Sequence, residues 1–148
     1  MFAMRDDGKR TYFHGQKRLR WCAASPDVEK YYLDTWDGGD WIGIGEGDTR
    51  GFCRCDACRE MDKPQPNIRG FKGHSTTNRY IELARRVRAK ALKRNPNVKV
   101  AFLMYMDYIM PPTKEKVDGM ESHSPNPNTR TMYIKSAMVQ NWPGLLLK

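Results

Sequence analysis

A short apolar run, Trp41-Ile-Gly-Ile44, opens directly into two acids set among glycines, Glu46 and Asp48, and three cysteines follow at Cys53, Cys55 and Cys58. The run has the length and content of a short buried strand. Glycines at 43, 45 and 47 let a ligand or another backbone come close. Carboxylates at the C-terminal mouth of a strand are where α/β enzymes keep their chemistry. Clustered cysteines beside that mouth imply a loop that is stapled or metal-bound.

The flanking segments read as alternating strands and helices. Residues 17–23 end in Leu19-Arg-Trp-Cys-Ala, a short strand. Ser25 can cap a helix that has Pro26 at its first position and Asp27 and Glu29 in its first turn. Val28, Tyr32 and Trp36 follow at helical spacing, and Gly38-Gly39 stops the helix. From Glu46 to about Thr77 the chain is rich in Gly, Pro and Cys and reads as one long functional loop. Asn78 can cap a helix to about Arg94, with Tyr80, Ala84, Val87 and Ala91 along one side. Val98 to Met106 is apolar enough for a strand buried on both faces. Pro111-Pro112 closes it, residues 113–130 read as loop, and Thr131–Val139 as one further strand. Such alternation predicts an α/β fold with a parallel sheet, its strands near 17–23, 41–46 and 98–106.

The net charge of +9 raises the question of nucleic acid. Seven basic residues against the single acid Glu82 between Arg79 and Arg94 supply +6 of it. The excess is therefore mostly one helix, and a solvated charged face is the plainer account. With 39% hydrophobic and 11% aromatic residues the chain can bury a core. No apolar run approaches the roughly 20 residues needed to cross a bilayer, and Met1 to Arg10 does not read as a signal peptide. Either the chain is intracellular or an export signal lies upstream of it.

Asp48 and Glu46 are the candidate catalytic carboxylates, since glycoside hydrolysis needs one carboxyl to protonate the leaving oxygen and a second as nucleophile or base. The plainer alternative is that Asp48 bonds backbone amides in its own turn. Tyr105 and Asp107 end the last clear strand and would face the same mouth, with Arg50 beside them as a further substrate contact. His74, Asn78 and Arg79 stand where the loop enters its helix, a natural anion-binding position. Cys55-x-x-Cys58 has metal-knuckle spacing but lacks a second matching pair. Cys53 and Cys22, the latter at the end of the preceding strand, are the remaining ligands to hand, with His14, His74 and His123 scattered. A thiolate metal site with structural zinc, disulfides in an exported protein and packed free thiols all remain open.

Several of these pieces together resemble a bacterial domain of unknown function found in predicted carbohydrate-processing proteins, often beside domains like those of α-glucuronidases. The similarity runs through Gly8-Lys9-Arg10, Cys22 to Pro26, Asp48 to Cys58, Asn78-Arg79-Tyr80, Tyr105 and Pro111-Pro112. It covers about residues 8–112 and rests on order and spacing rather than on any one motif. The family pattern has Asn before the Asp, where this chain has Gly47, and no acid at Glu46. The resemblance implies part of a glycoside-hydrolase-type (β/α) barrel, a carbohydrate ligand and an exported parent protein, periplasmic or extracellular.

The resulting expectation is a partial (β/α) barrel domain over residues 1–112, with a loop-rich tail over 113–148. A closed barrel needs about 250 residues, so the remainder of the barrel would be a partner and the isolated piece inactive. The alternatives are a small zinc-stabilised nucleic-acid-binding module, which acids at the strand mouths disfavour, and a non-catalytic carbohydrate-binding remnant.

Overall fold

The computed structural model describes residues 2–10, 20–45, 52–63, 75–104, 112–114, 121–122 and 130–133, with backbone alone at 102–104, 121–122 and 130–133. In chain order the elements are α1 (Pro26–Thr35), β1 (Trp41–Ile44), α2 (Asp56–Asp62), α3 (Thr77–Ala91), β2 (Lys99–Met104), β3 (Glu121–Ser122) and β4 (Arg130–Tyr133).

Helix α1 starts as its residues dictate. The Ser25 hydroxyl accepts from the Asp27 N–H at 3.3 Å, and Pro26 takes a position whose N–H would have no helical partner. The helix stops at Thr35, and Gly38 turns the chain toward β1 with φ of 89°, a conformation that favours glycine. Tyr32, buried in α1, donates its hydroxyl to the Gly45 carbonyl at 2.7 Å, tying the helix to the end of β1. Tyr32→Phe keeps the ring packing and removes that bond, so it should destabilise the protein by about 1 kcal/mol. A urea denaturation midpoint measures this, and an unchanged midpoint would mean that water replaces the hydroxyl without loss.

Two local expectations change. The stretch 46–77 is not loop throughout, because α2 forms within it directly after the cysteines. Thr76, not Asn78, occupies the N-cap position of α3, and Asn78 lies buried inside the first turn. Its side-chain amide donates to the Asp62 carbonyl at 3.2 Å and to the Thr113 hydroxyl at 2.8 Å, while its oxygen accepts from the Thr113 N–H. An amide so placed joins α2, α3 and residue 113 rather than satisfying the helix end.

Helix α3 is the central element. Tyr80, Ile81, Leu83, Ala84, Val87 and Ala91 are all buried, and the helix packs against α1, α2 and β2. Strands β1 and β2 run parallel in the register Trp41↔Lys99 to Ile44↔Phe102, so the connection through α3 is a β-α-β unit. The sheet order is β1-β2-β4-β3, with β4 antiparallel to β2 and β3 antiparallel to β4. The strand expected at 131–139 is thus present as Arg130–Tyr133, running opposite to its neighbour. Of the strand expected near 17–23, residues 17–19 lie outside the described ones. Trp21 makes one isolated antiparallel bridge to Phe2.

Along β1 the side chains alternate: Ile42 and Ile44 are buried, Trp41 and Gly43 exposed. Val98 and Val100 join Ile42 and Ile44 in the core with Val28, Leu83, Ala84 and Val87. The helices therefore cover one face of the sheet. On the other face Trp41 stays half-exposed, with the Lys99 ammonium 5.3 Å from its ring centroid. β1 is consequently half-buried rather than wholly buried as its composition suggests.

Candidate functional site

The N-terminal segment, the start of α1 and the start of α2 meet at the four cysteines. Residues 2–10 form a turn in which Arg5 N donates to the Lys9 carbonyl at 2.9 Å, and Gly8, at φ 76°, makes the reversal. This turn lies against the cysteine segment: Arg54 N donates to the Met4 carbonyl at 2.8 Å, and Met4 N donates to Cys53 Sγ at 3.2 Å. Cys22 stands just ahead of α1, where its carbonyl accepts from the Ser25 N–H at 2.8 Å. Cys55 is the N-cap residue of α2, yet its side chain makes no capping bond and turns to the other thiols. Cys58, one turn later, is fully buried.

The Sγ atoms of Cys22, Cys53, Cys55 and Cys58 all lie within 4.8 Å of one another. Cys22 is 3.7 Å from Cys55 and 3.8 Å from Cys58, and Cys53 is 3.5 Å from Cys55. All four are buried and none is in a disulfide. The thiols influence one another strongly. Hydrogen bonding from Cys53 and then Cys58 pulls the Cys22 thiol well below its ordinary range, while the bond to Cys22, then that to Cys53 and burial, push the Cys58 thiol up. Hydrogen bonding to Cys22 raises the Arg10 pKa above its ordinary value, against the desolvation that lowers it, and Cys55 adds to the effect. Arg10 also donates to the Phe2 carbonyl at 2.8 Å. Four soft donors converging on one point can hold a metal ion.

Behind the cysteines lies a buried ion pair that the sequence reading did not foresee. Arg79 and Asp62 are each 1% exposed, and Arg79 Nε donates to Asp62 Oδ1 at 2.8 Å while its second terminal nitrogen meets Oδ2. The remaining nitrogen donates to the Cys53 carbonyl at 2.8 Å. Burial works against the Arg79 charge, but the Asp62 carboxylate outweighs it and holds the guanidinium above its ordinary pKa. Arg79 is thus buried and turned to protein groups, out of reach of the anion expected at this helix start. His74, its expected companion there, lies outside the described residues.

Along the rest of this segment the solvated charged face expected is found only in part, for Lys90, Lys93 and Arg94 are exposed while several of the cations also meet partners on other elements. Arg86 Nε and Lys90 Nζ lie 2.8 and 2.5 Å from the two oxygens of Glu29, a buried acid on α1. Arg86 also donates to the Ala23 carbonyl. Arg88 is buried and donates to the Val98 carbonyl at 3.3 Å, and Arg94 donates to the Leu33 carbonyl at 3.0 Å. The cations clamp α3 to α1 and to the entry of β2. Only the spacing of Glu29 one turn after Ser25 hinted at a partner, and helix-end electrostatics accounted for it without one.

Asp48, Glu46, Arg50, Tyr105 and Asp107 lie outside the described residues. Of the predicted site residues described here, the fold brings together Cys22, Cys53, Cys55 and Cys58. A cavity of about 200 Å³ opens between α2, α3 and residues 112–114, lined by Met61, Asn78, Glu82, Arg86 and Lys114. No helix among the described residues is long and apolar enough to cross a membrane. Comparison with protein-family models, with curated proteins and with solved structures yields no match.

Proposed function

We propose that this chain is part of a glycoside-hydrolase-like (β/α) module that binds or processes complex carbohydrate. Asp48 is its first carboxylate, Glu46 its second, and Arg50, Tyr105 and Asp107 face the sugar. The observation that carries this reading is the parallel pairing of β1 with β2, with Ile44 opposite Phe102. Parallel strands end at the same sheet edge, and the segments bearing the two sets of residues follow those ends directly in sequence. Ligands of open and closed α/β sheets bind at that edge. One-sided cover of the sheet by helices agrees with the reading, because barrel strands pack helices outside and other side chains inside.

The nucleic-acid alternative draws on the net charge, but the basic residues of α3 at Arg79, Arg86 and Lys90 already meet Asp62 and Glu29. Phosphate contacts there would have to displace buried partners. A panel of glucuronides and hexosaminides, assayed for binding by calorimetry and for turnover, separates the readings. Asp48→Asn should cut turnover by at least about 100-fold, the scale of lost acid–base catalysis, with little change in melting temperature. Wild-type binding without turnover would support the non-catalytic remnant. DNA binding that weakens steeply with salt, together with no glycan binding, would sink the carbohydrate reading.

A further inference from the structure

We propose that Cys22, Cys53, Cys55 and Cys58 bind one Zn²⁺ ion as four thiolates, in a closed structural site that joins the N-terminal turn, the start of α1 and α2. The site is independent of the carbohydrate reading: either can fail while the other stands.

Geometry is the first argument. Zinc–thiolate bonds of about 2.3 Å in a regular tetrahedron place the sulfurs about 3.8 Å apart. Three of the six separations, at 3.5, 3.7 and 3.8 Å, match that edge length closely, and all six are within 4.8 Å. A disulfide would bring one pair to about 2.05 Å, and none of the four cysteines is so joined. Two separate stretches of the chain, at Cys22 and at Cys53–Cys58, turn all four thiols to one point.

Donor chemistry and enclosure are the second. Four thiolates in a tetrahedral set select zinc or iron, and zinc stands above ferrous iron in the general order of divalent affinity. All four sulfur-bearing residues are buried, so four protein ligands close the site. Such closure marks a structural centre, since a catalytic zinc keeps one position for water or substrate.

The third argument is the surrounding layer. Zinc with four thiolates carries a net charge of −2, which needs nearby donors and cations. Met4 N–H points at Cys53 Sγ. Arg79 holds the Cys53 carbonyl from behind. These groups would orient the ligands and offset the charge without themselves binding the ion.

Such a centre has a clear mechanical role. Residues 2–10 contribute Ala3 as their one fully enclosed apolar side chain, and α2 is only 7 residues long. Neither could hold its place by apolar burial alone, whereas a shared ion binds both to the start of α1 and adds its binding energy to folding.

The test uses the whole chain, expressed with zinc and dialysed. Elemental analysis should find about one equivalent of zinc per chain. Replacement by Co²⁺ should produce the intense visible bands of a tetrahedral thiolate complex, with sulfur-to-cobalt charge transfer in the near ultraviolet. Cys58→Ser should abolish those bands. Because that variant could also fail to fold, the parent chain provides a second check: stripping the zinc with a chelator should lower its melting temperature, and adding Zn²⁺ back should restore it. Metal-free protein with four titratable thiols, a disulfide between any two of the cysteines, or iron in place of zinc would each overturn the proposal.

Discussion

Asp62→Ala should destabilise the protein by about 3–5 kcal/mol, because it strands the Arg79 guanidinium in the interior without its carboxylate. Both side chains are 1% exposed, so water cannot take over the lost bonds. For a domain whose whole stability is on the order of 5–15 kcal/mol, that loss should appear as a large drop in melting temperature and in soluble yield. Arg79→Lys should fail as a rescue. An ammonium is a point charge and cannot meet both Asp62 oxygens and the Cys53 carbonyl in one plane, as the guanidinium does. The double variant Asp62→Leu, Arg79→Met discriminates further. Removing both charges together avoids the stranded ion, so its cost should fall well below that of Asp62→Ala. It should still exceed zero, since the Cys53 carbonyl loses its partner, which costs about 1–3 kcal/mol if no water replaces it. Calorimetric unfolding of the three variants checks the order. If Asp62→Ala melted within a degree or two of the parent, the pair would not be buried as described.

Leu83→Ala is the second large effect expected, about 2–5 kcal/mol for a buried leucine cut back to the β-carbon. Leu83 is 1% exposed and belongs to the core where α3 meets its neighbours. The same helix packs on α1, α2 and β2, so a cavity beneath it weakens several contacts together. Leu83→Met, with nearly the same volume, should cost less than about 1.5 kcal/mol. Denaturant unfolding of the two variants measures the difference, and equal midpoints would place Leu83 outside the core.

How much of this was legible beforehand depends on the range of the interaction. Helix α1 was readable almost residue by residue, because Ser25, Pro26 and Gly38 act through their own backbone and that of near neighbours. The strands β1 and β2 were readable from apolar content, and their parallel pairing from the helix between them. Cys22 was suspected beside the other cysteines because it ends the preceding apolar segment, and the fold brings all four sulfurs together. Whether they were metal ligands, disulfides or loose thiols was open, since spacing along the chain says nothing of distances between sulfurs.

The basic helix shows most clearly what local reading lacks. Composition established that Arg79–Arg94 carries most of the positive charge, and a charge on a helix surface is ordinarily solvated. The acids that meet Arg79, Arg86 and Lys90 come from elsewhere, Asp62 at the end of α2 and Glu29 on α1, up to 61 positions away. Asn78 likewise had the chemistry of a cap, but Thr76 holds that position and Asn78 bonds Asp62 and Thr113 instead. Sequence by itself determined where the chain turns, which faces are apolar and which side chains can ligate or ionise. Only the tertiary structure decided the partners, because hydrogen bonds and ion pairs act over a few ångströms in space, and packing alone brings residues distant along the chain within that reach.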